Sequence, residues 1–315
     1  MNRICLIGFG NLGYRYFQAI LNLKLTFELS VVDIGTSFDK GYSYLSNLKK
    51  NSKVKFYKKL NKTPKNFDLI IISTTAGKRL KLIRDIKKNL KFKYMIMEKP
   101  LTQNDYELSE IKKIIKNKKC WVDTHKRFTK PYRFIGNKIN KKYDLHMNVE
   151  GKNWGICCNS LHYLDLFYSF CYSRVSNISE IKKMKWLKSK RNNYYELDDG
   201  IIEINCNNNI LKLISENVKK KNNEFVKITI LNGSNKWEIL EKLEGHYISY
   251  KKKIFFFKNE LLSSRMTKTI TYILNKQEVN LPTFNESASL YKPLIKFFLK
   301  KWKIKNKSSK LVPIT

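Results

Sequence analysis

Residues 3–13 have the sequence RICLIGFGNLG, in which an apolar run leads directly into a glycine-rich turn and an amphipathic segment. The apolar run predicts a strand, and apolar residues at helical spacing predict a helix over 11–23. The GxGxxG spacing at their junction allows a tight turn, close approach of a ligand to the backbone, and close contact of helix and strand. We expect a pyrophosphate to bind at this helix N-terminus. The predicted cofactor-binding residues of this turn are Gly8, Phe9, Gly10, Asn11, Leu12 and Gly13.

A carboxylate ends the second predicted strand, which covers residues 29–33. Asp33 stands 20 residues after Gly13, the spacing at which the acidic residue of a dinucleotide-binding fold accepts hydrogen bonds from ribose hydroxyls. The same carboxylate would repel a 2′-phosphate, so Asp33 favours NAD over NADP as the cofactor. A strand-to-helix turn without a ligand is the alternative.

Short apolar runs alternate with amphipathic segments as far as about residue 125. Further strands are predicted at 68–73, 94–97 and 120–123, and the continuous apolar run DLIIIS at 68–73 is typical of a strand buried on both faces. Strands that alternate with helices predict an α/β fold with a doubly wound parallel sheet.

Beyond residue 125 the pattern becomes α+β. A predicted strand at 144–150 and an apolar helix at 156–170 precede strand-like runs between 199 and 243. These runs are separated by the turns Asn-Asn-Asn, Lys-Asn-Asn and Asn-Gly-Ser, which predicts neighbouring antiparallel strands in a large open sheet. The expected division is an NAD-binding domain at 1–125 and a substrate and oligomerisation domain at 126–315.

The composition of this 315-residue chain is strongly basic. Lys and Arg total 63 against 26 Asp and Glu, a formal net charge of +37, with 54 Lys, 9 Arg, 32 Asn and 3 Ala. Arginine is the side chain preferred for bidentate contacts to phosphate and guanine, and it is scarce here. The bias is typical of an AT-rich genome and a solvated surface. We expect no specific nucleic-acid partner, and an anionic partner is the alternative.

The six cysteines form no CxxC pair, and several lie in apolar runs where cysteine acts as a small hydrophobe. The first residues enter a strand pattern without the features of a signal peptide, and no window of about 18 apolar residues occurs. These patterns predict a cytoplasmic protein with no membrane partner.

Two further stretches carry reactive side chains. Lys99, in the sequence MEKP, follows the strand predicted at 94–97, and the carboxyl ends of parallel strands face the ligand crevice. A lysine there can hydrogen-bond a substrate oxygen; a solvated loop lysine is the alternative. On the helix predicted at 156–170, His162 and Asp165 share a face, which suits a general base beside a carboxylate.

A structural histidine is the other interpretation of His162. Cys158 stands four residues before it, which makes a metal face geometrically possible, but no fourth ligand is evident and no metal is expected. The remaining histidines, His125, His146 and His246, have no obvious partner in the sequence.

Five motifs occur along the chain: GFGNLGYRY, MEKP, VDTHKRFTKPY at 122–132, NSLHYLDL, and LPTFNESASLYKPLIKFFLKKW, which contains a helix predicted at 286–302. In this order they resemble the N-terminal fingerprint, the Glu-Lys-Pro motif, the start of the second domain, the His-x-x-Asp helix and the C-terminal strand-to-helix ending of one family. That family is the glucose–fructose oxidoreductase / inositol dehydrogenase (Gfo/Idh/MocA) family.

The resemblance implies an NAD-dependent oxidoreductase that exchanges a hydride with a carbon of a sugar or nucleotide sugar. It implies that Lys99 orients the substrate oxygen and that His162 moves the hydroxyl proton. Relatives associate through the open face of the second-domain sheet, which implies a homo-oligomer. Besides the glycine turn and Asp33, the implied cofactor contacts are Ser73, Thr74, Thr75, Arg79, Glu98 and Lys99. The implied substrate contacts are Lys99, Arg127, Trp154, Asn159, His162 and Asp165.

Several positions depart from the family pattern. Many members have Asp four positions and Gly two positions before the histidine, where this chain has Cys158 and Ser160, with Asn159 as a nearby polar group. Many members also have a histidine where this chain has Arg79. A Cys-Asn-x-x-His helix is similar to that of members associated with bacterial surface-sugar biosynthesis. The missing Asp motivates the alternative of a catalytically silent relative that binds a dinucleotide or sugar as a regulator.

Overall fold

The computed structural model describes residues 1–35, 37–47, 53–189, 191–218 and 225–315. The described chain forms two compact units. The first comprises Met1–Thr102, Tyr106–Asp123 and Glu260–Asn285, and the second comprises Gln103–Asp105, Thr124–Asn259 and Glu286–Thr315. The Lys-Asn-Asn turn predicted at 221–223 lies outside the described residues.

The first unit contains a six-stranded parallel sheet. Its strands are β1 (Asn2–Ile7), β2 (Phe27–Val32), β3 (Lys53–Tyr57), β4 (Asn66–Ile72), β5 (Lys91–Met97) and β6 (Lys119–Val122). The helices between them are α1 (Asn11–Leu21), α2 (Asp39–Asn47), α3 (Arg79–Asn89) and α4 (Asp105–Ile114). The strand order β3-β2-β1-β4-β5-β6 is that of a doubly wound dinucleotide-binding sheet, which confirms the predicted fold class. The order reverses between β1 and β4, so the ligand crevice lies beyond the carboxyl ends of these two strands.

Apolar burial explains why the central strands form. Leu69, Ile70, Ile71 and Ile72 of β4 are all fully buried, as expected for a parallel strand covered by helices on both faces. Burying an aliphatic side chain contributes about 1.5–3 kcal/mol, so four in succession fix the register of β4 against its neighbours.

The second unit contains a larger, mostly antiparallel sheet, as predicted. Its eight strands are ordered β16-β15-β14-β13-β7-β12-β11-β8, and the neighbouring pairs are antiparallel except β7 and β12, which are parallel. The strands and helices of this unit, with the separate β9–β10 pair, are β7 (Leu145–Lys152), β8 (Asn177–Lys182), β9 (Lys185–Lys188), β10 (Tyr195–Asp198), β11 (Gly200–Cys206), β12 (Asn209–Glu216), β13 (Val226–Asn232), β14 (Asn235–Glu241), β15 (Gly245–Tyr250), β16 (Lys253–Lys258), α5 (Lys130–Gly136) and α6 (Ile156–Cys171).

Helix α7 (Leu262–Leu274) belongs to the first unit, whereas α8 (Phe284–Lys305) lies almost wholly in the second. Met266 and Ile270 of α7 are buried in the same apolar cluster as Phe17 of α1. The hydroxyl of Thr267 donates to the carbonyl oxygen of Ala19 at 2.8 Å. The structure therefore differs from a single division at residue 125, because the apolar face of α7 is buried against α1.

Among the described residues, none of the helices combines the length and the apolar character that a bilayer crossing requires.

Candidate functional site

The glycine-rich turn joins β1 to α1 at the point where the strand order reverses. Gly8 has a φ of +98°, a backbone conformation that glycine adopts without strain. A Cβ on Gly13 would lie 2.0 Å from the carbonyl oxygen of Gly8, so only glycine allows this contact between helix and turn. A Cβ on Gly10 would meet nothing within 4 Å. The backbone at Gly10 is therefore open to a ligand.

The segment after β4 supports this turn. The Ser73 hydroxyl donates to the carbonyl oxygen of Gly8 at 2.8 Å. The side chain of Phe9 is buried, with its ring edge-on to Phe17 at a centroid distance of 5.3 Å. Phe9 therefore offers a ligand its backbone rather than its ring. Asn11 at the start of α1 is exposed, and Leu12 is half-buried.

Asp33, directly after β2, is fixed beside the turn by two backbone amides. The N–H of Phe9 donates to its Oδ2 at 2.6 Å, and the N–H of Gly35 donates to its Oδ1 at 2.9 Å. A carboxylate oxygen can accept more than one hydrogen bond, and hydroxyl groups are among its ordinary donors. The geometry suits acceptance of hydrogen bonds from ribose hydroxyls.

Arg79 begins α3 and is fully buried. Its Nη1 donates to the carbonyl oxygen of Glu98 at 2.5 Å, and its Nη2 donates to that of Thr74 at 2.6 Å. The guanidinium thereby connects the segment after β4 to the segment after β5. Thr75, next to Thr74, is exposed.

Beside Lys99, a buried hydrogen-bonded cluster extends from Glu98 to α7. The Tyr16 hydroxyl makes a short contact with Oε1 of Glu98 and lies 2.8 Å from Oδ2 of Asp123. Nη1 of Arg265 donates to Oδ1 of Asp123 at 2.7 Å. Nothing in the sequence pattern connects these residues, which lie on α1, after β5, after β6 and on α7.

The cluster holds one proton between its two carboxyl groups. A hydroxyl has a single hydrogen, so Tyr16 can donate to only one of them, and the other carboxyl must donate in turn. Burial and the charge of Asp123 together raise the pKa of Glu98 to about 8, against the opposing effects of Tyr16 and Lys99. Asp123 is ion-paired with Arg265. Glu98 therefore carries the proton at neutral pH, and Tyr16 donates to Asp123.

Helix α6 begins at a carboxylate cap. Oε2 of Glu196, on β10, accepts the N–H groups of Cys157 and Cys158 at 2.7 and 3.3 Å. A negative charge at a helix N-terminus is favourable because of the helix dipole. The side-chain amide of Asn159 donates to the carbonyl oxygen of Trp154 at 2.6 Å, which fixes this residue at the start of the helix.

His162, nearly buried on α6, lines a cavity of about 270 Å³, which we call the His162 cavity. The other lining residues are His125, Lys126, Trp154, Asn159, Tyr163 and Val226. The ring centroids of His125 and His162 are 5.4 Å apart. The structure thus brings together three implied substrate contacts, Trp154, Asn159 and His162, and places His125, without an obvious partner in the sequence, against His162.

Asp165 is fully buried one turn after His162, and its ion-pair partner is Arg127. Nε of Arg127 lies 3.5 Å from Oδ2 of Asp165, and its Nη2 lies 3.3 Å from Oε1 of Glu286. Burial, with a smaller effect of the charge of Glu286, raises the pKa of Asp165 to about 7 against the opposing effect of Arg127. Both Arg127 and Asp165 thus have protein partners in a position where the resemblance implied substrate contacts.

Glu241, at the end of β14, is the centre of a partly buried group of hydrogen bonds that sequence analysis did not find. Its carboxylate accepts hydrogen bonds from Lys126 Nζ at 2.5 Å, from the Tyr163 hydroxyl at 2.7 Å and from the Tyr132 hydroxyl. Nε2 of His246 lies 3.2 Å away. Burial disfavours the charge, but Lys126 and His246 outweigh it and hold the pKa of Glu241 below its usual range. The group fixes Lys126 and Tyr163 at the wall of the His162 cavity.

Lys99 is the second residue after β5 in the first unit, and His162 lies on α6 in the second. Within the described parts of the chain, no group of three or more His, Cys, Asp or Glu side chains is arranged to hold a metal ion.

The strand order, the glycine turn and the carboxylate after β2 define a dinucleotide-binding fold. Residues 2–125 match the family model GFO_IDH_MocA, described as "Oxidoreductase family, NAD-binding Rossmann fold". This match confirms the predicted family resemblance. A comparison with curated protein sequences found no match.

Solved structures share the fold over almost the whole chain. The transcriptional regulator Gal80p from Kluyveromyces lactis is 15% identical with a TM-score of 0.72, covering 96% of this chain and 92% of that chain. Myo-inositol 2-dehydrogenase from Lactobacillus plantarum is 15% identical with a TM-score of 0.69, covering 100% and 99%. UDP-N-acetylglucosamine 3-dehydrogenase from Acidithiobacillus ferrooxidans is 11% identical with a TM-score of 0.67, covering 94% and 96%. At these identities the likeness concerns the fold alone.

Proposed function

We propose that this protein is an NAD-dependent oxidoreductase that transfers a hydride between a nicotinamide and the hydroxyl or keto carbon of a sugar or nucleotide sugar. The observation that carries the proposal is the open glycine turn with Asp33 fixed beside it, in a segment that matches an NAD-binding oxidoreductase family.

The residues at the turn fit a bound dinucleotide. The backbone at Gly10 has room for a pyrophosphate, and Asp33 has acceptor capacity for ribose hydroxyls. NAD bound there would supply the hydride acceptor for oxidation of the substrate carbon. NAD is preferred to NADP in this proposal because Asp33 would repel a 2′-phosphate.

His162 and Lys99 have different roles toward the substrate in this proposal. His162 takes the hydroxyl proton as the hydride leaves the same carbon, and Lys99 hydrogen-bonds the substrate oxygen. The support for His162 is its place in the wall of a cavity with Trp154 and Asn159. The support for Lys99 is its place at the carboxyl end of β5, where sheets of this type bind ligands.

The proposal also covers the source of the substrate and the oligomeric state of the enzyme. The Cys-Asn-x-x-His sequence of α6 supports a substrate from bacterial surface-glycan biosynthesis. Leu231 on the interior strand β13 is 42% exposed, and Phe256 on β16 is 51% exposed. Exposed apolar side chains on the sheet support a homo-oligomer formed through it.

A catalytically silent regulator is the second candidate. Cys158 stands where many family members have an aspartate, and the fold is shared with a protein described as a transcriptional regulator. Such a protein would bind a dinucleotide or sugar and turn over neither.

Turnover of NAD separates the two candidates. The purified chain is mixed with NAD and a panel of free sugars, polyols and nucleotide sugars, and formation of NADH is followed by absorbance. We expect saturable reduction with at least one member of the panel. NADH binding without turnover of any member would favour the regulator. Failure to bind NADH would contradict the oxidoreductase and leave only a regulator that binds a sugar.

A further inference from the structure

A second, larger cavity adjoins the His162 cavity within the second unit. Its volume is about 460 Å³, against about 270 Å³ for the His162 cavity, and the two share Lys126, Trp154 and Val226 as lining residues. Small-molecule sites commonly measure about 300–1,000 Å³, so the His162 cavity alone is small and the larger cavity falls within the range. Two compartments with a common wall suit a ligand built of two parts.

The larger cavity lies at one end of three neighbouring strands. Val226, the first residue of β13, is paired with Gly151 of β7 on one side and with Glu241 of β14 on the other. Lys152 and Lys242 directly follow these two partners along the chain. Both lysines therefore project from the same end of the sheet and line the cavity from its two sides.

Positive charge predominates in the lining of the larger cavity. Glu241 is the carboxylate of this lining, and its charge is met by Lys126 and by the nearby His246. Lys152 and Lys242 are exposed, and within the part of the chain that the structure describes neither is ion-paired with a carboxylate. Their charges are available to an anion in the cavity.

Two aromatic side chains, Trp154 and Phe225, also line the larger cavity. The indole of Trp154 is fixed by a hydrogen bond from its Nε1 to the carbonyl oxygen of Ile214 at 2.9 Å. Gly151 makes room for it, because a Cβ there would lie 2.8 Å from the indole Cδ1. Phe225, 41% exposed, lines the same cavity. Flat aromatic faces of this kind stack on nucleobases.

We propose that the larger cavity binds the nucleoside diphosphate group of a nucleotide-linked sugar whose sugar ring enters the His162 cavity. Lys152 and Lys242 act as point charges on the diphosphate, as lysine does in other phosphate sites. Trp154 and Phe225 hold the base. The inference rests on the proposed function, because it names the substrate class of that same site and excludes free polyols, which would leave the larger cavity empty.

Calorimetric titration with uridine 5′-diphosphate (UDP) in saturating NADH tests the cavity, because NADH occupies the other nucleotide site of the proposal. The test variant is Lys152→Ser with Lys242→Ser. The matched control is Lys112→Ser with Lys116→Ser, which removes the same charge from exposed positions in the first unit. We expect the unmodified protein and the control to bind UDP alike and the test variant to bind at least tenfold more weakly. Thermal unfolding of all three proteins shows whether each is folded.

A second titration without NADH completes the test. Three results would overturn the inference: no UDP binding by the unmodified protein in either titration, an equal loss of affinity in both double variants, or UDP binding that is seen without NADH and lost in saturating NADH. The second would mean that the overall charge of the chain attracts UDP. The third would mean that UDP occupies the dinucleotide site.

Turnover separates failure of this inference from failure of the proposed function. If the unmodified protein reduces NAD with free sugars, the oxidoreductase proposal holds and this inference fails, because it excludes substrates that lack the nucleoside diphosphate. If UDP binds with the expected pattern but no nucleotide sugar is turned over, the diphosphate site holds and the oxidoreductase proposal fails.

Discussion

Asp33 is held beside the glycine turn by hydrogen bonds to both carboxylate oxygens, so its charge has a defined position. We predict that NADH binds more tightly than NADPH, by tenfold or more, since a repulsion of about 1.4 kcal/mol is enough for that ratio. Asp33→Ser should narrow or reverse the preference, and fluorescence titration measures both affinities. Asp33→Asn keeps the size of the side chain and loses its charge, so it is the control that separates the effect of charge on the preference from the effect of size. Equal affinities in the unmodified protein would contradict this role of Asp33.

Glu98 gives the folded protein a pH dependence of its own. Its pKa is about 8 in the folded protein against an ordinary value of 4.5, so between these pH values the unfolded chain has lost a proton that the folded protein keeps. This contribution to stability is fully present below about pH 4.5 and is lost as the pH rises to about 8, by about 1.4 kcal/mol per pH unit. Glu98→Gln stays neutral throughout. We expect the free energy of unfolding of Glu98→Gln, measured with urea, to increase relative to that of the unmodified protein as the pH rises from 5 to 8.

Asp123→Asn is the matched comparison for the position of that proton. It removes the charge that faces Arg265, and breaking a buried ion pair costs about 3–5 kcal/mol. At pH 6 we expect this variant to be strongly destabilised and Glu98→Gln to be close to the unmodified protein. The reverse result would place the proton on Asp123.

At the scale of the element, the two glycines of the turn have different roles that substitution separates. Gly13→Ala would place a methyl group 2.0 Å from the carbonyl oxygen of Gly8, so we expect a loss of stability of more than about 3 kcal/mol. Gly10→Ala meets no protein atom, and we expect at most about 1 kcal/mol of lost stability but at least tenfold weaker NADH binding. Thermal unfolding and NADH titration measure the two effects. Undiminished NADH affinity in Gly10→Ala would contradict the placement of the pyrophosphate.

The elements that sequence analysis found are those with a local signal. The continuous apolar runs at β1, β4 and β5 lie within a few residues of the observed strands. Strand β3 was missed because it is an edge strand with two exposed lysines and no fully buried residue. Helix α7 was missed although Met266, Ile270 and Ile273 stand at helical spacing in the sequence. What the sequence does not indicate is the surface that it covers, which lies on α1, about 250 residues earlier in the chain.

The residues of the candidate site also differ in whether a local sequence signal indicates them. The glycine turn, Asp33 and His162 were found because each belongs to a short motif in a recognisable context. The cluster of Tyr16 with Asp123 and the group around Glu241 join residues more than 70 positions apart along the chain, so no spacing in the sequence indicates them.

At the scale of the whole molecule, we expect the net charge of +37 to attract nucleic acid without recognising its sequence. Binding by charge alone falls steeply as the salt concentration rises, because it depends on the release of counterions. We predict weak binding of duplex DNA, equal for two unrelated sequences and absent at about physiological ionic strength, measured by fluorescence anisotropy. Retention of one sequence at that ionic strength would contradict the expectation and indicate a specific nucleic-acid partner.

In the proposed function Lys99 hydrogen-bonds the reacting oxygen of the substrate and His162 takes its proton. Lys99→Met should lower both turnover and substrate affinity, because it removes a hydrogen bond to the reacting oxygen. Combined with His162→Asn, it should lower turnover by less than the product of the two separate effects, because both residues act on one proton transfer.

The most direct measurement is the rate of NADH formation by the unmodified protein and by His162→Asn, with the substrate that the panel identifies, together with the NADH affinity of each. A positioned base contributes about 10²–10⁴-fold, so we predict that His162→Asn lowers turnover by roughly that factor. We expect its NADH affinity to stay nearly unchanged, because the proposed dinucleotide contacts all belong to the first unit. Full activity of His162→Asn on that substrate would contradict the assignment of the base.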